Sequence, residues 1–373
     1  MKRIFFIIYW SDCLNALQSH RQMLSNRRLT LFQRSTYVNS CMLSKLWFIS
    51  HLYPLTLKYA KEINKIIFLY LWNGSYEPVR RSTVFRAKAD GGLGVINCFI
   101  KSQVIFLNSF IKCSTNENFK NSLVYYYCYL RMQNIIHMEY SIHNASLSIT
   151  PYYEITYGLI KKVIHLEGFP IIPKKNLYNY MLHKERSESS YGEENYPTFN
   201  WKSIWKNFTN ILFYPYEKEI IYKHLHLCLA TNHRLAMLGR NTTSLCNKCS
   251  DDVDQTPVHM FYQCENVKPL FQWMLRSLFK ISNFRPTTNI RFLYFDANYD
   301  NLFQRTICNT FLYIYIITIW KTRKENLRIG ILKTIIVKRL SDHFNFMKLL
   351  PNNRLDKVFE KFSRLDIDSL INL

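Results

Sequence analysis

LCNKCSDDVDQTPVHMFYQC, residues 245–264, carries the pattern C-x2-C-x9-H-x4-C at Cys246, Cys249, His259 and Cys264. Three thiolates and one imidazole at this spacing suit tetrahedral Zn²⁺. The tight first pair binds from one turn, and the second pair is reached through a polar loop. Four protein ligands leave no open position for water, so the pattern predicts one closed, structural zinc site. Two alternatives stand beside it: buried free thiols with an ordinary loop histidine, or Cys228 in place of one of the four ligands.

The flanks predict helices. On the N-terminal side, Thr231 or Asn232 can cap a short helix that Gly239 ends, which delivers the chain into the metal loop at a fixed angle. On the C-terminal side, residues 267–281 form a helix with Trp273 and Phe279 on its apolar side. A long helix over about 303–327 contains FLYIYIITIW, residues 311–320, too short a run to span a bilayer and more consistent with a core helix. Further upstream, KERSESSYGEENYPTFN, residues 184–200, is polar and locally acidic with Gly192 and Pro197, and reads as a linker. Before it, residues 119–182 are tyrosine-rich and helical in pieces; Tyr125, Tyr126 and Tyr127 either stack on bases or are simply core or rim.

The first hundred residues are helical and basic. Val38, Cys41, Met42, Leu46 and Ile49 follow an i, i+3, i+4 repeat, which Lys45 interrupts, and Ile63, Ile66, Ile67, Tyr70 and Leu71 repeat it in the next helix. A helix is expected from Trp10 to about Leu31, followed by a basic joint around Arg27, Arg28 and Arg34. Arg80, Arg81, Arg86 and Lys88 precede Gly91-Gly92-Leu93-Gly94. That G-G-L-G matches no phosphate-binding fingerprint and is read as a tight turn opening a helix over about 97–112.

The chain has 373 residues, 49 Lys or Arg against 26 Asp or Glu, and a formal net charge of +23. Residues 1–110 alone hold 15 Lys or Arg and 4 Asp or Glu, and residues 301–373 hold 13 and 6. Such an excess implies a polyanionic partner. Nucleic acid comes first, since each neutralised phosphate releases a counterion; a membrane surface comes second, and a generally basic surface is the bland alternative. Ten scattered cysteines do not form the framework of a small secreted domain, so a reducing, intracellular compartment (nucleus or cytoplasm) is expected. The N-terminal MKRIFFIIYW has a short apolar run and no small-residue cleavage site, and is read as a buried segment rather than a signal peptide.

The order W-x3-W (Trp201, Trp205), TNHRLAMLGR, CNKC, TPVHMFYQC and Trp273 resembles the reverse-transcriptase zinc-binding domain that follows the polymerase in non-LTR (LINE-type) retrotransposon proteins. Trp320, Arg323 and Asn326 fit the W-x2-R-x2-N of that region. NRRLTLFQRSTYVNSCMLSKLWF, LYLWNG and GGLGVIN resemble the stretch between thumb and zinc domain of the same elements. The resemblance runs from about Trp10 to Asn326 and implies a C-terminal, RNA- or DNA-gripping part of an RNA-directed DNA polymerase. It departs from the family in one respect. The metal-holding aspartate pair of a polymerase has no counterpart, because the only adjacent pair, Asp251-Asp252, sits in the metal loop with no apolar strand beside it.

These readings predict a mainly α protein: a helical thumb- or connector-like region (1–183), a linker (184–200), a zinc-binding domain (201–285) and C-terminal helices (286–373). Its expected function is nucleic-acid binding through Arg27, Arg28, Arg34, Arg80, Arg81, Arg86 and Lys88, with zinc on Cys246, Cys249, His259 and Cys264, no catalysis by itself and no membrane partner. The alternatives are a decayed transposon-derived chain or one part of a split active polymerase.

Overall fold

The computed structural model describes residues 2–114, 151–163, 165–166, 172–185, 189–210, 214–249, 252–325, 327–349 and 368–372. Tyr125, Tyr126, Tyr127, Asp251 and Asn326 lie outside them. The chain is mainly helical, and the described residues hold no strand, only an isolated antiparallel bridge between Leu245 and Asp254. It divides into two compact units. One comprises Met1–Glu77, Val84–Arg86 and Leu93–Glu188, the other Pro78–Thr83, Ala87–Gly92 and Ser189–Leu373.

In the first unit the helices are α1 (Lys2–Ser25), α2 (Leu31–Tyr37), α3 (Ser44–Ser50) and α4 (Leu57–Trp72), followed by α5 (Cys98–Ser114), α6 (Pro151–Val163) and α7 (Lys174–Glu185). The expected helix over 10–31 is in fact two. It begins at Lys2 and stops at Ser25, because Thr30 starts α2 with a capping box to Gln33. A π turn, Val38–Met42, shifts the phase between α2 and α3, so that Val38, Met42, Leu43, Leu46 and Ser50 are buried, while Cys41 and Ile49, expected on the same face, are only half-buried. α4 buries Ile63, Ile66, Ile67, Tyr70 and Leu71 and ends on Asn73 in the left-handed region. It packs on α1, α2 and α5. A second cluster joins Val104, Phe106 and Leu107 of α5 to Leu159 and Ile160 of α6 and Leu177 of α7.

The longest segment of the second unit begins at Ser189, inside the stretch that the sequence reads as a linker. Ser190 caps α8 (Tyr191–Asn195) with a capping box to Glu193, and Gly192 is buried where a Cβ would lie 2.8 Å from the Trp201 ring. There follow α9 (Trp201–Asn210), α10 (Pro215–Leu225), α11 (Asn232–Met237), α12 (Lys268–Ser282), α13 (Asn289–Leu293), α14 (Leu302–Thr322) and α15 (Ile329–Lys348). α14 is the centre of this unit. Every residue from Ile307 to Trp320 is buried, and α10, α12 and α15 pack around it. Helices that are apolar on all sides belong in a core or a membrane. α14 starts where the helix over about 303–327 is expected and ends short of it, at Thr322. The ten-residue apolar run alone is too short to span a bilayer, but the whole helix is long and apolar enough to cross one by length and composition; 78% of its apolar window is buried within the protein. On α12, Trp273 is buried and donates from Nε1 to Leu370 O at 2.8 Å. Phe279, expected on the same side, is exposed under the Arg285 guanidinium, since six residues of α-helix carry a side chain well past its starting face.

The G-G-L-G turn has a packing role. Gly91 sits at φ +79° against Trp205, and its carbonyl accepts from His226 Nε2 (2.9 Å) and Tyr222 Oη (3.2 Å). A Cβ on Gly91 would stand 2.4 Å from Trp205 Cε2. Gly91→Ala therefore combines left-handed strain of about 1–2 kcal/mol with overpacking of about 1 kcal/mol or more, and a loss of about 2–3 kcal/mol is expected in urea denaturation. Unchanged stability would mean that Trp205 yields at little cost.

Candidate metal centre

Cys246 lies at the bridged turn. Its N–H donates to Val253 O (2.9 Å) and Gln255 N–H donates to Ser244 O (2.8 Å), so two short arms hold the CNKC loop between them. The N–H groups of Lys248 and Cys249 turn back onto the Cys246 sulfur. His259 opens and Cys264 follows a π turn, His259–Gln263, closed by Cys264 N–H to His259 O at 2.8 Å. Five residues apart, these side chains would point to different faces of an α-helix; the wider i→i+5 turn brings them to one side. Cys264 O then accepts from Val267 N and Lys268 N and starts α12.

The four ligand atoms lie within 4.8 Å of one another. Cys246 Sγ and Cys264 Sγ are 3.9 Å apart, and Cys249 Sγ is 3.4 Å from His259 Nε2. A tetrahedron with metal–sulfur bonds of about 2.3 Å has S···S edges of about 3.8 Å, and a disulfide would need about 2.05 Å. The geometry therefore fits one metal ion held by Cys246, Cys249, His259 and Cys264. Without a cation the thiols oppose one another. Burial pushes Cys264 up to about 12, and the neighbouring Cys246 and Cys249 push the same way. Burial also acts to raise Cys246, but the N–H groups of Lys248 and Cys249 outweigh it and hold that thiol below its ordinary value. A divalent cation relieves this conflict by stabilising every thiolate at once.

Around the ligands runs a polar shell. Gln255 Nε2 reaches Cys246 Sγ at 4.0 Å, while its Oε1 accepts from Asn232 N–H at 3.0 Å, tying the start of α11 to the metal loop. Asp254 accepts from Ser244 Oγ and pairs with His233 Nδ1 at 3.0 Å. Asn266 Nδ2 donates to Lys248 O, and Tyr315 Oη of α14 donates to Phe261 O at 2.7 Å, which fixes the π turn on the core helix. Thr231 caps α11 through Arg234 N–H, and Gly239 follows at φ +63°. No family model matches the chain, and no curated protein matches it.

Cys228 stands outside the ligand cluster; it is buried, and burial pushes its thiol up to about 12. Asp252 is exposed in the loop. The basic residues divide between the units. Arg27, Arg28, Arg34 and Arg86 are in the first, and Arg80, Arg81 and Lys88 are in the second. Arg27, Arg28 and Lys88 are exposed, and Arg34 donates to Leu71 O at 3.3 Å. Arg80 is held by Glu194 through two bonds of 2.6 and 3.2 Å, so a phosphate would have to displace a carboxylate already in place.

One charged cluster went unread in the sequence. Glu217, in the first turn of α10, is buried and accepts from Tyr313 Oη, Lys321 Nζ (2.6 Å) and Arg339 Nη2. Lys321 and Arg339 are 104 and 122 residues away in sequence, too far for any local pattern to reveal the group.

Proposed function

We propose that the protein is a zinc-stabilised nucleic-acid-binding module of the kind that follows the polymerase in non-LTR retrotransposon proteins, non-catalytic by itself. The observation that carries the reading is the Cys3His cluster, whose edges fit a tetrahedral ion, in a chain of net charge +23. Zinc is the ion favoured by soft thiolates with one imidazole, and a closed four-ligand set gives it a structural task. RNA or DNA is the polyanion favoured by the basic excess. The thiolate site suits a reducing, intracellular compartment, and no membrane partner is needed.

The test is binding of RNA and DNA across a salt series. Affinity is expected to fall on the order of 100-fold or more between about 50 and 200 mM salt, as for a protein neutralising several phosphates. Replacing Arg27, Arg28 and Lys88 with Gln is expected to weaken binding to all sequences alike and to flatten the salt slope. Salt-insensitive affinity, or no binding at low salt, defeats the proposal.

A further inference from the structure

A cavity of about 540 Å³ opens in the second unit among α10, α14 and α15, within the range of sites for small ligands. Its charged lining is Glu217, Lys321 and Arg339. Both cations meet the carboxylate at the same oxygen, Oε1, while Tyr313 donates to Oε2. One negative charge thus faces two positive ones, and the positive excess stands at the opening: the Lys321 side chain is 41% exposed and that of Arg339 24%, against 4% for Glu217. Lys321 has three N–H donors and Arg339 five, so donors remain after Glu217 is satisfied. Arg339 Nη1 reaches Thr318 Oγ1 at 3.4 Å, which orients its fork on the wall of the cavity.

The rim is aromatic. Tyr214 and Tyr216 line the cavity with more than half of each residue exposed (56% and 57%). Lys321 Nζ stands 5.5 Å from the Tyr216 ring centre, which places a cation and a stacking face side by side. Large aromatics left open next to a net positive charge are costly as a surface and useful as a binding device, because every base has a π-face and every nucleotide a phosphate.

We propose that this cavity receives one unpaired nucleotide of a single-stranded nucleic acid, its phosphate on Lys321 and Arg339 and its base against Tyr214 and Tyr216. A base within a duplex cannot enter such a cavity without leaving its stack, so the site discriminates single strands from duplex. The carboxylate has a part in this. Glu217 reduces the local charge from two to one, which matches the single charge of a phosphodiester, and holds both cations on one side of the cavity.

This inference rests on the nucleic-acid reading above, and the experiment separates the two. The full chain is titrated with a fluorescent oligothymidylate and, separately, with a duplex of the same length. Tyr214→Ala/Tyr216→Ala is expected to weaken single-strand binding about 10-fold, the scale of a lost base–aromatic stack, with duplex binding and melting temperature unchanged. Tyr216→Phe, which keeps the ring, is expected to bind as the parent does. If the double alanine variant binds the single strand as tightly as the parent, the cavity is not a nucleotide site, and the broader reading stands. If the parent binds neither probe at low salt, both proposals fall.

Discussion

The purified chain is expected to carry one zinc ion, and Cys246→Ser to lose it. Cys246 is the choice because its sulfur is buried, takes the N–H groups of Lys248 and Cys249, and stands 3.9 Å from Cys264. A serine hydroxyl keeps the size but not the soft, ionised donor. Structural zinc contributes about 10–16 kcal/mol in peptides that are unfolded without it, which sets an upper bound here. Met260, Phe261 and Cys264 are buried in the unit, and Tyr315 holds the π turn, so part of the local structure has support besides the metal. A loss on the order of 5 kcal/mol is therefore expected on chelation, read by thermal melting with metal analysis alongside. Cys228→Ser is the control and should retain the ion. If the thiols are simply buried, the parent has no stoichiometric metal, a strong chelator leaves its melting unchanged, and Cys246→Ser costs only about 1 kcal/mol.

Where the chemistry is local, the sequence was legible. The spacing offers Cys246, Cys249, His259 and Cys264 with Cys228 as a substitute, and the structure brings the first four together because all of them lie within one short loop and the turn that follows it. The apolar repeat of Ile63, Ile66, Ile67, Tyr70 and Leu71 likewise matches the buried face of α4. What hid was of two kinds. The π turns at Val38–Met42 and His259–Gln263 change the phase of side chains with no residue type to announce them. The second kind is long-range: the polar stretch 184–200 reads as a linker, yet Gly192 packs beneath Trp201, and Arg80 has its partner in Glu194. In the same way Gly91 looks like turn chemistry until Trp205, more than a hundred residues on, takes the space its side chain would fill.

Glu217→Gln is expected to cost about 3–4 kcal/mol at neutral pH, and the cost should shrink in acid. Removing one member of a buried ionic group costs about 3–5 kcal/mol because the partners are left uncompensated; the partial exposure of Lys321 places this case toward the lower end. Burial acts to raise the Glu217 carboxyl, but the bonds from Lys321 and Tyr313 and the charge of Arg339 outweigh it and hold it below its ordinary value of 4.5. A carboxyl whose folded value is lowered contributes stability above its unfolded value, and loses that contribution as pH falls through the folded value. Glu217 therefore acts only in the acid arm below about 4.5. Two buried histidines act earlier. Burial lowers His224 and His343 from 6.5 to about 4, so each disfavours the folded state as pH falls through that interval. Tyr313 and Arg339 face both Glu217 and His343, so this histidine and the carboxylate are neighbours in space, while His224 stands apart against Leu293 and Tyr294. Urea denaturation from pH 7 to 3 should show both the parent and Glu217→Gln losing stability between about 6.5 and 4, and only the parent showing the additional loss below about 4.5. Parallel curves, or equal stability at pH 7, would show that Lys321 and Arg339 do not depend on the carboxylate between them.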